Sequence, residues 1–368
     1  ITIRLGYADI ILKKCPKCKG TKAYTVSEKC EHCKSTPKPL RRISFVDAPG
    51  HESLMATMLS GSAIMDAALI IISANEKCPQ PQTQEHVMAM NIMGIENVII
   101  VQNKIDVVSE KETLENYKDI KKFLKDTKYK DAPIIPISAQ QGINIDFLIE
   151  AIEKYFPTPK RNDKKDPLFF VARSFDINKP GTEIKDLNGG VLGGTLKQGK
   201  LKEGDEVEIR PGRAVEQRNQ IIWNPINTKI IGLASGNISA KEILPGGSSA
   251  IMTLLDPSIV KSDRLTGTVV GRSGKLPKVW MDITLEIHLL DRVVGTEKEL
   301  DVKPIKMNET LMLNVNSTAS VGVVYELKKG TIKCKLKLPV CVEAGSRITI
   351  SRRISNRFRL IGYGILKE

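Results

Sequence analysis

The chain has 368 residues, 41% of them hydrophobic and 27% charged, with a formal net charge of +14 at pH 7. This is an ordinary globular composition at a length that suits two or three domains. No apolar run is long enough to span a membrane and no secretory signal pattern opens the chain, which argues against membrane and exported classes and makes a cytoplasmic location the expectation.

In chain order, the first chemical feature is Cys15-Pro16-Lys17-Cys18 followed by Cys30-Glu31-His32-Cys33, a C-x₂-C-x₁₁-C-x₂-C pattern. Two such knuckles can place four thiolates around one zinc, and a closed four-ligand set leaves no position for catalysis. The polar segment between them cannot bury a core, so a metal would supply its folding energy. Redox cysteines are the alternative, and His32 is the alternative to Cys33 as a ligand. Cys78, Cys334 and Cys341 read as core or surface residues.

Residues 41–156 then alternate strand and helix signals. Strands are predicted at 41–46, 67–72, 98–101 and 134–137, and helices at 52–59, 83–93, 109–125 (with a Ser cap) and 144–155. The continuous apolar run at 67–72 suits a strand covered on both faces. Residues 157–167, rich in Pro and Lys, read as a linker. Beyond it come short strands with Gly and Pro turns, such as 207–210 before Pro211-Gly212 and 250–255 before Asp256-Pro257. That texture predicts β-barrels, with a second boundary at 276–279. The expected division is 1–160, 165–275 and 276–368.

Charge is unevenly spread. Residues 1–160 hold 22 basic and 19 acidic side chains, and residues 161–368 hold 34 and 23. The basic excess of the second half suggests a polyanion such as RNA, or a Lys-rich surface of thermophile type. The arginines of 351–359 suit an RNA contact or a strand facing a neighbouring domain.

Three ordered blocks follow strands, where open parallel sheets bind ligands. Asp47-Ala48-Pro49-Gly50 reads as a D-x-x-G switch, with Asp47 holding magnesium through water and the Gly50 N–H reaching a γ-phosphate. His51 stands where GTPases orient the attacking water. Asn103-Lys104-Ile105-Asp106 reads as N-K-x-D. The Asp106 carboxylate can accept from the ring N–H and exocyclic amine of guanine, Asn103 braces the loop, and the Lys104 stem packs along the base. Ser138-Ala139-Gln140 supplies backbone donors to the guanine carbonyl. No G-x-x-x-x-G-K-[ST] loop occurs. Either the given sequence starts downstream of it, which is the expectation here, or the domain lacks it.

With these residues assembled, the chain resembles the gamma subunits of archaeal translation initiation factor 2, relatives of elongation factor Tu. Beyond the three blocks and the knuckle, the resemblance rests on LGYAD at 5–9, MATMLSG at 55–61, PQPQT at 79–83, RSFDINKPG at 173–181, LDRVVG at 290–295 and RLIGYG at 359–364. It implies an α/β GTPase domain of P-loop type, with a mostly parallel sheet and an inserted zinc knuckle at 15–33, followed by two β-barrel domains. It identifies Ile1-Thr2 as the end of the first switch, with Thr2 on magnesium. It further implies GTP and GDP as ligands, delivery of methionylated initiator tRNA to the small ribosomal subunit, and a heterotrimer. In that assembly alpha docks on the second domain and beta on the GTPase domain. Two rivals are an elongation-type aminoacyl-tRNA carrier and, if the phosphate loop is truly absent, a nucleotide-independent scaffold.

Overall fold

The computed structural model describes residues 6–48, 59, 64–218, 220–236, 238–293, 300–354 and 357–368. The expected helix at 52–59 therefore lies outside the described residues apart from Leu59, which is buried.

The first part holds two three-stranded sheets. Strand β1 (Gly6–Lys14) pairs antiparallel with β2 (Lys38–Asp47) and with the short strand Tyr24–Thr25. Strands β3 (Ala67–Ser73), β4 (Asn97–Asn103) and β5 (Ile134–Pro136) form a parallel sheet. Among the described residues β2 and β3 are each the outer strand of their sheet, and a cleft of about 780 Å³ lies between them. Strand β1 went unread because Tyr7 to Leu12 neither alternate cleanly nor form a continuous apolar run.

Helices α1 (Pro81–Met93), α2 (Glu110–Leu124) and α3 (Ile145–Tyr155) cover the parallel sheet. The central strand β4 divides its side chains between two layers, as its period of two requires. Val98 and Ile100 pack with Val87, Met90, Ile120 and Leu124 of α1 and α2. Ile99 and Val101 pack with Leu12 of β1 and with Ile149 and Ile152 of α3. Helix α2 begins on a full capping box: the Ser109 hydroxyl accepts from the Glu112 N–H at 3.3 Å, and the Glu112 carboxylate accepts from the Ser109 N–H at 2.8 Å. Arg41 of β2 closes the far end of α3, donating to the carbonyls of Ile152 and Phe156 and to Glu153. A cation there also complements the helix dipole.

The rest is two closed rings of strands. In the first, β6 (Leu168–Phe175), β7 (Val191–Gln198), β8 (Glu206–Gln217), β9 (Gln220–Ser235), β10 (Ser249–Thr253) and β11 (Val269–Gly271) run in the order β8-β11-β6-β7-β10-β9, and β9 returns to β8. Pro211-Gly212 does not end a strand as expected. It forms an irregularity within β8, between Ile209 and Arg213. Gly212 has φ 89°, and a Cβ there would stand 1.9 Å from the Asn224 carbonyl oxygen, so the close crossing requires glycine. Asp256-Pro257 opens a short helix, Pro257–Val260, rather than a simple turn.

The second ring is β12 (Val279–Leu289), β13 (Thr310–Val315), β14 (Thr318–Lys328), β15 (Thr331–Cys341), β16 (Arg347–Ile354) and β17 (Arg357–Lys367). Each barrel has its own apolar core, around Phe169, Leu196 and Ile251 in the first and Leu285, Leu313 and Ile350 in the second. Both also pack on the α/β part. Leu59, Ala89 and Ile92 meet Leu360 of β17, while Tyr7, Val46 and Ile64 meet Phe170, Val269 and Cys341.

Candidate functional site

Asn103 ends β4, and the chain turns sharply at Lys104, which takes the left-handed conformation at φ 64°. The Asn103 side-chain oxygen accepts from its neighbour's N–H, Lys104, at 2.8 Å and from the Ala139 N–H at 3.1 Å. Ile105 N–H donates to the Ile137 carbonyl and Ile137 N–H to the Gln102 carbonyl. These bonds join the Asn103–Ile105 turn to Ile137 and Ala139 and so bring the two loops together. Lys104, Asp106, Ala139 and Gln140 are exposed on this surface, whereas Ser138 is buried and its hydroxyl accepts from the Gln141 N–H. Asn144 rests the second loop on β5 through a bond to the Pro136 carbonyl.

Behind the loop lies a support that sequence reasoning missed. Gln102 is fully buried, and its amide donates to the Thr113 carbonyl at 2.9 Å and to the Asn116 side chain at 2.8 Å. Asn116 in turn donates to the Glu76 carbonyl. This network fixes α2 and the loop after β3 against the residue preceding Asn103. Its signal in the sequence is one polar side chain inside an apolar strand, immediately before the N-K-x-D block.

Asp47 stands at the end of β2, opposite Gly6 in the ladder and at the wall of the cleft. Thr2, Gly50 and His51 lie outside the described residues, so the structure places Asp47 alone of the expected phosphate-side group. The Asp47 end and the Asn103–Ala139 loops belong to different sheets.

The four cysteines converge. Their sulfur atoms lie within 4.8 Å of one another, with Cys15 and Cys33 at 3.4 Å and Cys18 and Cys30 at 3.7 Å. Disulfide sulfurs stand about 2.05 Å apart, whereas a tetrahedron with about 2.3 Å metal–sulfur bonds puts sulfurs about 3.8 Å apart. The set therefore fits a tetrathiolate metal site. Ser35, unforeseen from the sequence, touches the Cys15 and Cys33 sulfurs at 3.1 and 3.0 Å. That hydroxyl, with the Lys17 and Cys18 backbone, holds the Cys15 thiol down at about 6 despite its burial. Cys33 is lowered by the same hydroxyl, while burial pushes Cys18 up to about 12. His32 is exposed and is not among the clustered groups. Cys334 and Cys341 are buried and Cys78 is half-buried.

The arginines of 351–359 divide. Arg352 pairs with Glu309 and reaches the Lys303 and Pro304 carbonyls within its own barrel. Arg359 pairs with Glu85 of α1, and Arg347 donates to the Ile92 carbonyl. Of the two expectations for this strand, its packing against the neighbouring α/β part accounts for Arg359.

Residues 281–366 match the family model for the C-terminal part of initiation factor eIF2 gamma, and residues 18–158 match that for the elongation factor Tu GTP-binding domain. The chain is 54% identical over 366 residues to translation initiation factor 2 subunit gamma of Methanococcus vannielii, covering 100% of this chain and 89% of the relative. It is equally similar, over 367 residues and with the same coverage, to the protein of that name from Methanocaldococcus jannaschii. The fold is also that of translation elongation factor SelB from Methanococcus maripaludis, solved with a GTP analogue, at a TM-score of 0.73 and 21% identity over 100% of this chain and 74% of that one. On the full-length identity, the chain belongs to the gamma subunits of translation initiation factor 2.

Proposed function

We propose that this GTP-binding initiation-factor subunit is the GTP-switched carrier of methionylated initiator tRNA to the small ribosomal subunit. The observation that supports this reading is the Asn103 side chain bonded to the Ala139 N–H, which joins the two loops expected to read guanine. In this reading Asp106 accepts from the two guanine N–H groups, the Lys104 stem covers the base, and the Ser138–Gln140 backbone donates to its carbonyl. Asp47 and Thr2 hold magnesium, which supplies charge neutralisation at the phosphates. Gly50 senses the γ-phosphate, and His51 orients the water for hydrolysis to GDP. Cys15, Cys18, Cys30 and Cys33 hold a structural zinc. The division into 1–160, 165–275 and 276–368, the alpha and beta partner subunits and a cytoplasmic setting belong to the same reading. The sequence identity to initiation-factor gamma subunits favours it over an elongation-type carrier.

The test is a calorimetric titration of the complete protein with GTP and magnesium, repeated with xanthosine triphosphate for Asp106→Asn. Exchanging a double acceptor for an amide should weaken GTP by about a hundredfold or more and create a xanthosine preference, since a site built around specific hydrogen bonds rejects the wrong partner strongly. Unchanged GTP preference would remove Asp106 from the site. No nucleotide binding by the parent protein would favour the scaffold reading.

A further inference from the structure

The cysteine lobe carries a charge pattern that holding a metal does not require. Residues 13–38 contain eight lysines, and Glu28 and Glu31 are their only acidic side chains. The remainder of residues 1–160 holds 14 basic and 17 acidic groups, so the whole positive excess of the α/β part sits on this lobe. Lys13 is buried and paired with Glu28. The other seven, Lys14, Lys17, Lys19, Lys22, Lys29, Lys34 and Lys38, are exposed, and among the described residues none of them makes an ion pair. A tetrathiolate zinc centre would bring about two negative charges, well short of balancing them.

The arrangement works against the fold's own stability. Lys14 and Lys38 stand directly opposite each other in the β1–β2 ladder, and like charges in that position repel. Evenly mixed surface charge would avoid this, so the single-sign field points to an external anion. Its composition selects the kind of anion. Protein interfaces are depleted in lysine and enriched in arginine and aromatic side chains. This lobe has no arginine between 13 and 38; Tyr24, its one Phe, Tyr or Trp, has Lys14 over its ring at 4.9 Å, and His32 is exposed. Seven exposed lysines against one exposed imidazole favour charge over base stacking. Flexible lysine point charges suit the phosphates of a nucleic-acid backbone, read without regard to sequence.

We propose that the cysteine lobe is an RNA-backbone docking surface, separate from the nucleotide loops and from the barrels. Docking there is electrostatic, sequence-independent and salt-sensitive.

The test uses the full chain and a fluorescein-labelled 20-nucleotide poly(U) strand, with affinity measured by anisotropy over a series of salt concentrations. In one variant Lys17, Lys19, Lys29 and Lys34 are all replaced by Gln, and in a second all four are replaced by Arg. A third replaces Lys111, Lys118, Lys121 and Lys122, exposed on α2, by Gln and so removes the same charge elsewhere. Each phosphate contact contributes about 0.7 to the slope of log affinity against log salt for a single strand. The lobe Gln variant should therefore show a slope shallower by about 2 to 3 and an affinity lower by about tenfold or more at 0.1 M salt. The Arg variant should bind like the parent, and the α2 variant should keep the parent slope. Metal content and thermal midpoint, equal to the parent in the lobe Gln variant, separate lost contacts from lost folding. An unchanged slope in that variant, or an equal loss in the α2 variant, overturns the proposal. If the lobe Gln variant loses its metal, the Arg variant decides: parent-like binding supports the proposal, and weakened binding with metal retained overturns it.

Discussion

The barrels and the α/β part differ in how they close. Every strand of each ring has two neighbours, and the cores around Leu196 and Leu313 form within one ring. In the α/β part the ties are of other kinds: the cysteine cluster, the Arg41 clamp on α3, and the packing of α1 against β17. The barrels close by backbone ladders, and the described α/β part depends more on side chains.

Breaking the first of those ties should have the largest effect. Structural zinc sites contribute on the order of 10 kcal/mol of folding free energy to small metal-bound units. Cys30→Ser should abolish stoichiometric zinc and expose residues 15–35 to fast hydrogen exchange, with both barrels still protected. Equal deprotection of the barrels would show that the two regions unfold as one.

The α1–β17 contact comes next. Truncating one partner of a buried pair costs about 3–5 kcal/mol, so Glu85→Ala should lower the α/β unfolding transition more than the barrel transitions. The pH dependence has a definite sign. Burial pushes the Glu85 carboxyl above its ordinary value, and Arg359 offsets this only in part. The folded state then holds the proton more tightly than the unfolded chain. This contribution to stability falls as pH rises from the ordinary carboxylate range through the raised value. Glu85→Gln should flatten that slope in thermal unfolding, and an unchanged slope would show that another group carries it.

The same contrast explains what the sequence disclosed. The helix at 109–125 and the strand at 98–101 were legible because capping chemistry and apolar runs are local signals; the structure trims the first to Glu110–Leu124 and extends the second to Asn97–Asn103. Helix α1 was legible although it lacks a clean stripe. It buries Val87 and Met90 toward the sheet and Ala89 and Ile92 toward a barrel, so most of its faces are apolar. What stayed hidden depends on partners distant in sequence. The roles of Ser35 and Gln102 follow from groups brought near only by folding, whereas Arg359 realises the expectation of a strand facing a neighbouring domain. Among the residues expected to form the site, spacing alone brought together Asn103 with Ala139 and the four cysteines with one another.

A smaller effect is expected behind the nucleotide loops. Gln102→Leu keeps much of the shape but strips Thr113 and Asn116 of a donor. Leaving buried polar groups unsatisfied costs about 1–3 kcal/mol. Denaturant unfolding should register that loss in the α/β transition alone, and an unchanged midpoint would mean that water or Asn116 replaces the bond.

The smallest effect tests whether the local bonds of the α/β part act apart from its long-range ties. The Ser109–Glu112 box is self-contained and lies three residues after Asp106, so it fixes where α2 begins without help from any barrel or metal. Losing an N-cap hydroxyl costs typically about 1 kcal/mol. Ser109→Ala should remove about that much from the α/β transition while hydrogen exchange accelerates only in the first turn of α2. Exchange that instead accelerated along β4 and into the Ser138 loop would show the cap to be coupled to the proposed guanine-reading surface through Gln102. The nucleotide half would then depend on its local bonds as heavily as on its long-range ones.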